Sequence, residues 1–122
     1  MNQLTNIITP GILLVLTLGF GLWLSLIGKP YNGLLFNIHK LLALSAVVVI
    51  AMKFFPAVSY IPPQALFIGL VILAGLGVAA LFASGALMSA GKLPYTRMLT
   101  THRIAILITF LDLVVITTLL IH

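Results

Sequence analysis

The chain has 122 residues, of which 62% are hydrophobic and 6% are charged, with six Lys and Arg, a single acid and no Cys. Because charged residues make up about a quarter of an ordinary soluble domain, this composition excludes a soluble globular protein, and the lack of Cys excludes disulfides and thiolate metal sites. The basic residues lie at the ends of apolar runs, so they indicate membrane topology and not nucleic-acid binding.

Four apolar runs of transmembrane length follow one another along the chain. Each has about the 20 residues that cross the hydrocarbon core of a bilayer. The first helix is expected to start at the pair Thr9-Pro10, a cap and first-turn residue. The fold class predicted is all-α, an integral membrane up-down-up-down four-helix bundle made of two repeated helical hairpins. The predicted helices cover residues 10–27, 33–55, 62–90 and 97–121 of a single transmembrane domain, 1–122.

The distribution of positive charge predicts the orientation in the membrane. Four crossings put both termini on one side and the two hairpin turns on the other. Only Lys53 among the six basic residues lies on the terminal side. By the positive-inside rule the turns face the cytoplasm and both termini lie outside. The turn-side basic residues are Lys29, Lys40, Lys92, Arg97 and Arg103.

An internal repeat is the most informative feature of the sequence. A shift of 63 residues superposes Gly28-Lys29 on Gly91-Lys92, and His39-Lys40-Leu41 on His102-Arg103-Ile104. The repeat predicts a duplicated hairpin whose halves are related by a pseudo-twofold axis along the membrane normal. It therefore predicts that the two His residues lie at the same depth, about 9 Å inside the turn side.

Two repeat-related His residues inside a membrane suggest a cofactor site, because ionisable residues there are costly and often functional. The alternative is that each imidazole only hydrogen-bonds a neighbouring helix. Without a third ligand, two imidazoles suit haem, which takes axial ligands on opposite faces, better than zinc, which needs three or four ligands. We predict that His39 and His102 ligate the iron of one haem b between helices 2 and 4.

Residues near the two His positions fit this prediction. Small side chains at the same level, Gly21 in helix 1 and Ser84-Gly85 in helix 3, leave room for a porphyrin, although small residues also serve helix packing. Lys40 and Arg103 directly follow the two His residues and are predicted to neutralise the haem propionates. Their alternative role is topology signalling and contact with anionic lipid.

The only acid, Asp112, lies ten residues beyond His102 and about 80° away from the His102 face of helix 4. One interpretation is a protonated acid, or one paired with Lys53, that holds helices together. The other is a proton carrier for a quinone or a transported ion. At this angle Asp112 is not expected to contact a haem directly.

The stretch GKPYNGLLFNIHKLLAL and its second copy around LTTHRIAIL resemble small uncharacterised four-helix bacterial membrane proteins with a duplicated His-Lys/Arg motif. More distantly, the paired His residues are similar to the four-helix b-type cytochromes, including the cytochrome b561 and ferric-reductase groups. The resemblance implies haem binding, electron transport and a bacterial inner membrane. Those cytochromes commonly hold two haems, whereas this chain has one repeated His pair.

The function expected is a membrane b-type cytochrome that exchanges electrons with a quinone or a partner subunit. No GxGxxG stretch is present, so enzyme activity would require partners. The alternative is a non-haem protein, either a structural subunit of a larger membrane complex or a small transporter. Small multidrug transporters resemble this length and helix number but depend on a Glu in helix 1, and this chain has no Glu.

Overall fold

The computed structural model describes residues 3–60 and 63–121, with the backbone alone for 3–5, 57 and 58. The described residues form four α-helices and no strand, which confirms the all-α class. A 3-10 turn, Phe55–Ser59, follows the second helix. The helices are α1 (Gln3–Ile27), α2 (Gly33–Phe54), α3 (Gln64–Ala90) and α4 (Tyr95–Ile121).

All four helices are long and apolar enough to cross a membrane. Large apolar side chains are exposed along every one of them, as at Val15, Leu41, Ile72 and Leu107. Such surface is unfavourable in water and favourable in hydrocarbon. The chain is therefore an integral membrane protein in a lipid bilayer environment.

Two helices start earlier than the sequence indicates. α1 begins at Gln3, so Pro10 lies inside the helix and is not its first residue. In hydrocarbon a helix is the only way to satisfy most backbone polar groups, so it persists through a proline that would end it in water. α4 begins at Tyr95, where Pro94 accepts a hydrogen bond from the Met98 amide (3.2 Å). The predicted start of α3 at residue 62 lies outside the described residues.

The chain divides after Pro56 into two compact units, each a helical hairpin. Hairpin 1 packs α1 against α2, and hairpin 2 packs α3 against α4. The helices of each pair are antiparallel, since residues near the turn contact each other and residues far from it do likewise. The buried residues are Pro10, Leu24 and Ala46 in hairpin 1, and Phe67, Ser84, Met88, Ala105, Thr109, Asp112 and Ile116 in hairpin 2.

The first helix of each hairpin ends at an equivalent glycine. Gly28 has φ +75° and donates to the Leu24 carbonyl, and Gly91 has φ +66° and donates to the Leu87 carbonyl. These two glycines are superposed by the 63-residue repeat, and they are the described glycines with positive φ. The left-handed conformation favours glycine because a Cβ there crowds the following carbonyl. The repeat is thus present in the backbone as well as in the sequence.

We expect Gly91→Ala to lower the free energy of unfolding by about 1–2 kcal/mol, the cost of a left-handed residue with a Cβ. Gly75→Ala is the matched control, because Gly75 lies inside α3 with no neighbouring atom within 4 Å of the added Cβ. Denaturant titration of the solubilised protein, followed by circular dichroism, measures both. Equal stability of the two variants would contradict the expectation.

Candidate functional site

His39 is held in hairpin 1 by a hydrogen bond to the neighbouring helix. It lies in the second turn of α2, half-buried, with Nδ1 3.0 Å from the Thr17 carbonyl oxygen of α1. A carbonyl oxygen only accepts, so Nδ1 carries the hydrogen and donates it. In a neutral imidazole this tautomer puts the lone pair on Nε2, the nitrogen able to bind a metal.

Gly21 allows the imidazole to approach α1 this closely. A Cβ added at Gly21 would lie 2.9 Å from Cε1 and 3.4 Å from Nδ1 of His39. The ring therefore occupies the volume that any other residue would fill with its side chain. The small residue expected at the His level is present, and its role in hairpin 1 is to seat the imidazole on the helix backbone.

His102 is held in hairpin 2 through a serine hydroxyl. Its Nδ1 lies 2.8 Å from the Ser84 Oγ of α3, and Ser84 Oγ lies 2.7 Å from the Ala80 carbonyl oxygen. The hydroxyl has one hydrogen; when it donates that hydrogen to the carbonyl, the imidazole Nδ1 donates to Oγ. In that arrangement His102 has the same tautomer as His39. Gly85 is in ordinary contact with this ring, since its added Cβ would lie 3.7 Å from Cε1.

The two hydrogen-bond arrangements end on equivalent atoms. The 63-residue repeat pairs Thr17 with Ala80 and Gly21 with Ser84. His39 reaches the Thr17 carbonyl directly because Gly21 has no side chain. His102 reaches the equivalent carbonyl through Ser84, whose hydroxyl fills the gap. Each imidazole is therefore oriented from the same position of its own hairpin.

These carbonyls are the part of the site that the sequence did not reveal. Thr17 and Ala80 contribute through their backbone oxygens, and a backbone oxygen leaves no mark on residue type. The available signal was the pairing of Gly21 with Ser84 by the 63-residue repeat, at the level of the two His residues. Gly21 has no side chain, so His39 bonds directly to the Thr17 carbonyl. The Ser84 hydroxyl instead bridges His102 to the equivalent carbonyl.

The basic residues beside the His positions lie on exposed surface. Lys40 is exposed, with Nζ 4.7 Å from the Phe36 ring centroid, a cation–π distance. Arg103 is also exposed. Each follows its His by one residue, which is about 100° around the helix, so neither shares the imidazole face.

Asp112 is buried in hairpin 2 at 5% exposure, and neither carboxyl oxygen has a hydrogen-bond partner among the described residues. Lys53, considered as its partner, instead donates from Nζ to the Asn6 Oδ1 of its own hairpin (2.7 Å). Within the described ranges, no three His, Cys, Asp or Glu side chains are grouped to hold a metal ion.

Comparison of the chain with protein-family models, with curated proteins and with solved structures finds no match.

We expect Ser84→Ala to destabilise hairpin 2 more than Ser84→Gly. Alanine removes the hydroxyl and leaves the His102 Nδ1 hydrogen without its acceptor, a loss of about 1–3 kcal/mol for a buried donor. Glycine lets the imidazole reach the Ala80 carbonyl, as Gly21 does in hairpin 1. Helix propensity alone gives the opposite order, with Ala favoured over Gly by about 1 kcal/mol. Denaturant titration by circular dichroism decides which order holds.

We expect Gly21→Ala to displace the His39 ring, because its Cβ would lie 2.9 Å from Cε1. The ¹⁵N chemical shifts of the His39 ring should change as the bond to the Thr17 carbonyl is lost. Gly19→Ala, with no neighbour within 4 Å of its Cβ, should leave those shifts unchanged. Unchanged shifts in both variants would exclude the proposed seating of the imidazole.

Proposed function

We propose that the chain is a membrane b-type cytochrome that holds one haem b through His39 and His102. The observation that carries this proposal is that two repeat-related imidazoles are each held through Nδ1 by a hydrogen bond within their own hairpin. With the hydrogen on Nδ1, the lone pair of each ring lies on Nε2. A haem held by these residues would allow the protein to exchange electrons with a membrane quinone or with a partner subunit.

The hydrogen bonds at Nδ1 fit metal ligation. A His that binds a metal ordinarily donates its other ring nitrogen to a carbonyl or a comparable acceptor, which fixes the ring and raises the basicity of the ligating nitrogen. His39 uses a carbonyl directly, and His102 uses the Ser84 hydroxyl that is itself bonded to a carbonyl. Both acceptors belong to transmembrane helices, so the imidazoles are oriented before any cofactor arrives.

The donor set also favours haem over other metal cofactors. His39 and His102 would suffice to hold a haem iron without Cys, whereas a zinc site needs at least one further protein ligand. When bound, the haem supplies one-electron chemistry at its iron. The protein's own residues hold the group, orient its ligands and keep it in an apolar surrounding.

The positions of the charged residues support an orientation for the proposed site. His39 and His102 lie in the turn-side halves of α2 and α4, where five of the six Lys and Arg residues are also found. With the turns in the cytoplasm and both termini outside a bacterial inner membrane, the haem is near the cytoplasmic face. Lys40 and Arg103 are exposed on this side, and in this proposal their positive charges neutralise the propionates at that interface.

A second candidate function is a structural subunit of a larger membrane complex, or a small transporter, with no haem. The specific observation in its favour is that both imidazole hydrogen bonds connect the two helices of one hairpin. Such bonds hold helices together in membranes without any cofactor, at about 1 kcal/mol each. The two candidates differ in whether both His residues are needed for a bound chromophore.

An absorption spectrum of the detergent-solubilised protein, made in haem-supplied cells and measured oxidised and dithionite-reduced, tests the cytochrome. We expect a sharp α-band on reduction that is lost in both His39→Ala and His102→Ala, because each removes one axial ligand. The control is His122→Ala, which removes the third His of the chain and should preserve the band. A colourless wild type, or a band indifferent to both substitutions, would overturn the proposal.

A conservative variant separates ligation from folding in that experiment. His39→Met replaces the imidazole by a thioether, which is an axial ligand that raises the reduction potential of haem. A retained haem with a higher midpoint potential would identify residue 39 as a ligand. The same potential as in the wild type would assign the position a structural role.

A further inference from the structure

Hairpin 2 contains a buried polar pair that the proposed haem site does not use. Thr109 and Asp112 lie three residues apart on α4, on one face of the helix, at 6% and 5% exposure. The Thr109 hydroxyl and both Asp112 carboxyl oxygens lack a hydrogen-bond partner among the described residues. Because buried polar groups in native proteins are nearly always hydrogen-bonded, this pair needs an explanation.

Thr109 differs from the other threonines in the body of α4. Hydroxyls of Thr100, Thr101, Thr117 and Thr118 each donate to the carbonyl four residues earlier, at 2.7–2.9 Å. That bond is the ordinary way for a threonine to satisfy its hydroxyl inside a transmembrane helix. The Thr109 hydroxyl instead points at α3, where it is the nearest atom to a Cβ added at Gly77. The Thr109 hydroxyl therefore does not make the bond to its own helix backbone that the other four threonines make.

The polar pair is not required to pack a hairpin of this kind. The 63-residue repeat pairs Thr109 with Ala46 and Asp112 with Val49 of α2. Hairpin 1 therefore forms the same antiparallel pair with apolar residues at both positions, and Ala46 is buried at 2% exposure. An acid that served only to hold helices together would have a partner in its hairpin, and Asp112 has none among the residues that the structure describes there.

We propose that Asp112, with Thr109 beside it, is a proton-binding site within the membrane that exchanges one proton with the aqueous phase. The reaction is the addition of a proton to the carboxylate to give the neutral acid, and its reverse. A bare carboxylate in hydrocarbon is costly and the neutral acid much less so, which makes a proton the natural ligand of an otherwise unpartnered Asp. The buried oxygens have no accessible surface for a larger ligand.

Among the described residues of α3 and α4, no other ionisable side chain lies near the level of Asp112. α3, the helix packed against it, contains no Asp, Glu, Lys, Arg or His. On α4 the charged or titratable groups are Tyr95, Arg97, His102 and Arg103, the nearest being nine residues away, about 14 Å along the axis. The end of α4 at Ile121 is also nine residues from Asp112, and the start at Tyr95 is seventeen, so exchange is expected with the terminal side.

Infrared spectroscopy of the full chain in lipid nanodiscs tests this proposal directly. The chain has a single Asp and no Glu, so a carboxylic-acid C=O stretch from a side chain comes from one residue. We expect a band that shifts in D₂O and is lost and regained as the bulk pH is raised and lowered. Labelling with aspartate carrying ¹³C at its carboxyl carbon should move the band, which assigns it without any substitution.

Variants sharpen the assignment. Asp112→Asn should abolish the band, and the C-terminal carboxyl, still present in this variant, serves as the internal control. Thr109→Val removes the hydroxyl at nearly constant shape and should shift the C=O frequency, while Thr109→Ser should restore it. His39→Ala should keep the whole titration, because the proton site does not depend on haem.

Each remaining outcome overturns the proposal. A band that ignores both bulk pH and D₂O would show a permanently protonated structural acid. A carboxylate signal at every pH would show that no proton is bound. A titration present in sodium chloride and altered when choline replaces sodium would make the site a cation site.

Discussion

The bilayer requires polar groups within it to find partners inside the protein, and the arrangement of each hairpin depends on that constraint. Hydrocarbon offers no water to a buried polar side chain, so such side chains bond to the adjacent helix or to their own backbone, with Thr109 and Asp112 as the exceptions among the described residues. The His39–Thr17, His102–Ser84 and Lys53–Asn6 hydrogen bonds all join the two helices of one hairpin. Lipid supplies no hydrophobic force between helices, so these bonds and close packing determine how the pairs meet.

The helices and their duplication could be predicted from the sequence because both are marked by residue type. Apolar length predicted four spans, and the repeated Gly28 and Gly91 marked the helix ends that the backbone shows. The early start of α1 could not be predicted, because Pro10 ends a helix under the rules for water and not under those for lipid. Residue composition therefore predicts that a segment spans the membrane more reliably than it predicts the residue at which its helix begins.

The site was predictable to the level of the side chain but not of the backbone. The repeat identified His39 and His102, and counting along the helices placed Gly21, Ser84 and Gly85 beside them. The acceptor carbonyls were hidden because every residue carries one. That Asp112 has no hydrogen-bond partner among the described residues could not be predicted either, because this requires the positions of the surrounding side chains.

The bridging serine has a consequence for where protons can move. Both hydrogen-bond chains run from Nδ1 to a backbone carbonyl, directly from His39 and by way of one hydroxyl from His102. An amide oxygen neither releases nor stores a proton at physiological pH, so each chain is a dead end for proton hopping. The imidazoles are therefore insulated from proton conduction on their Nδ1 side. Any route that carries protons across the bilayer would therefore have to avoid the Nδ1 atoms of both imidazoles.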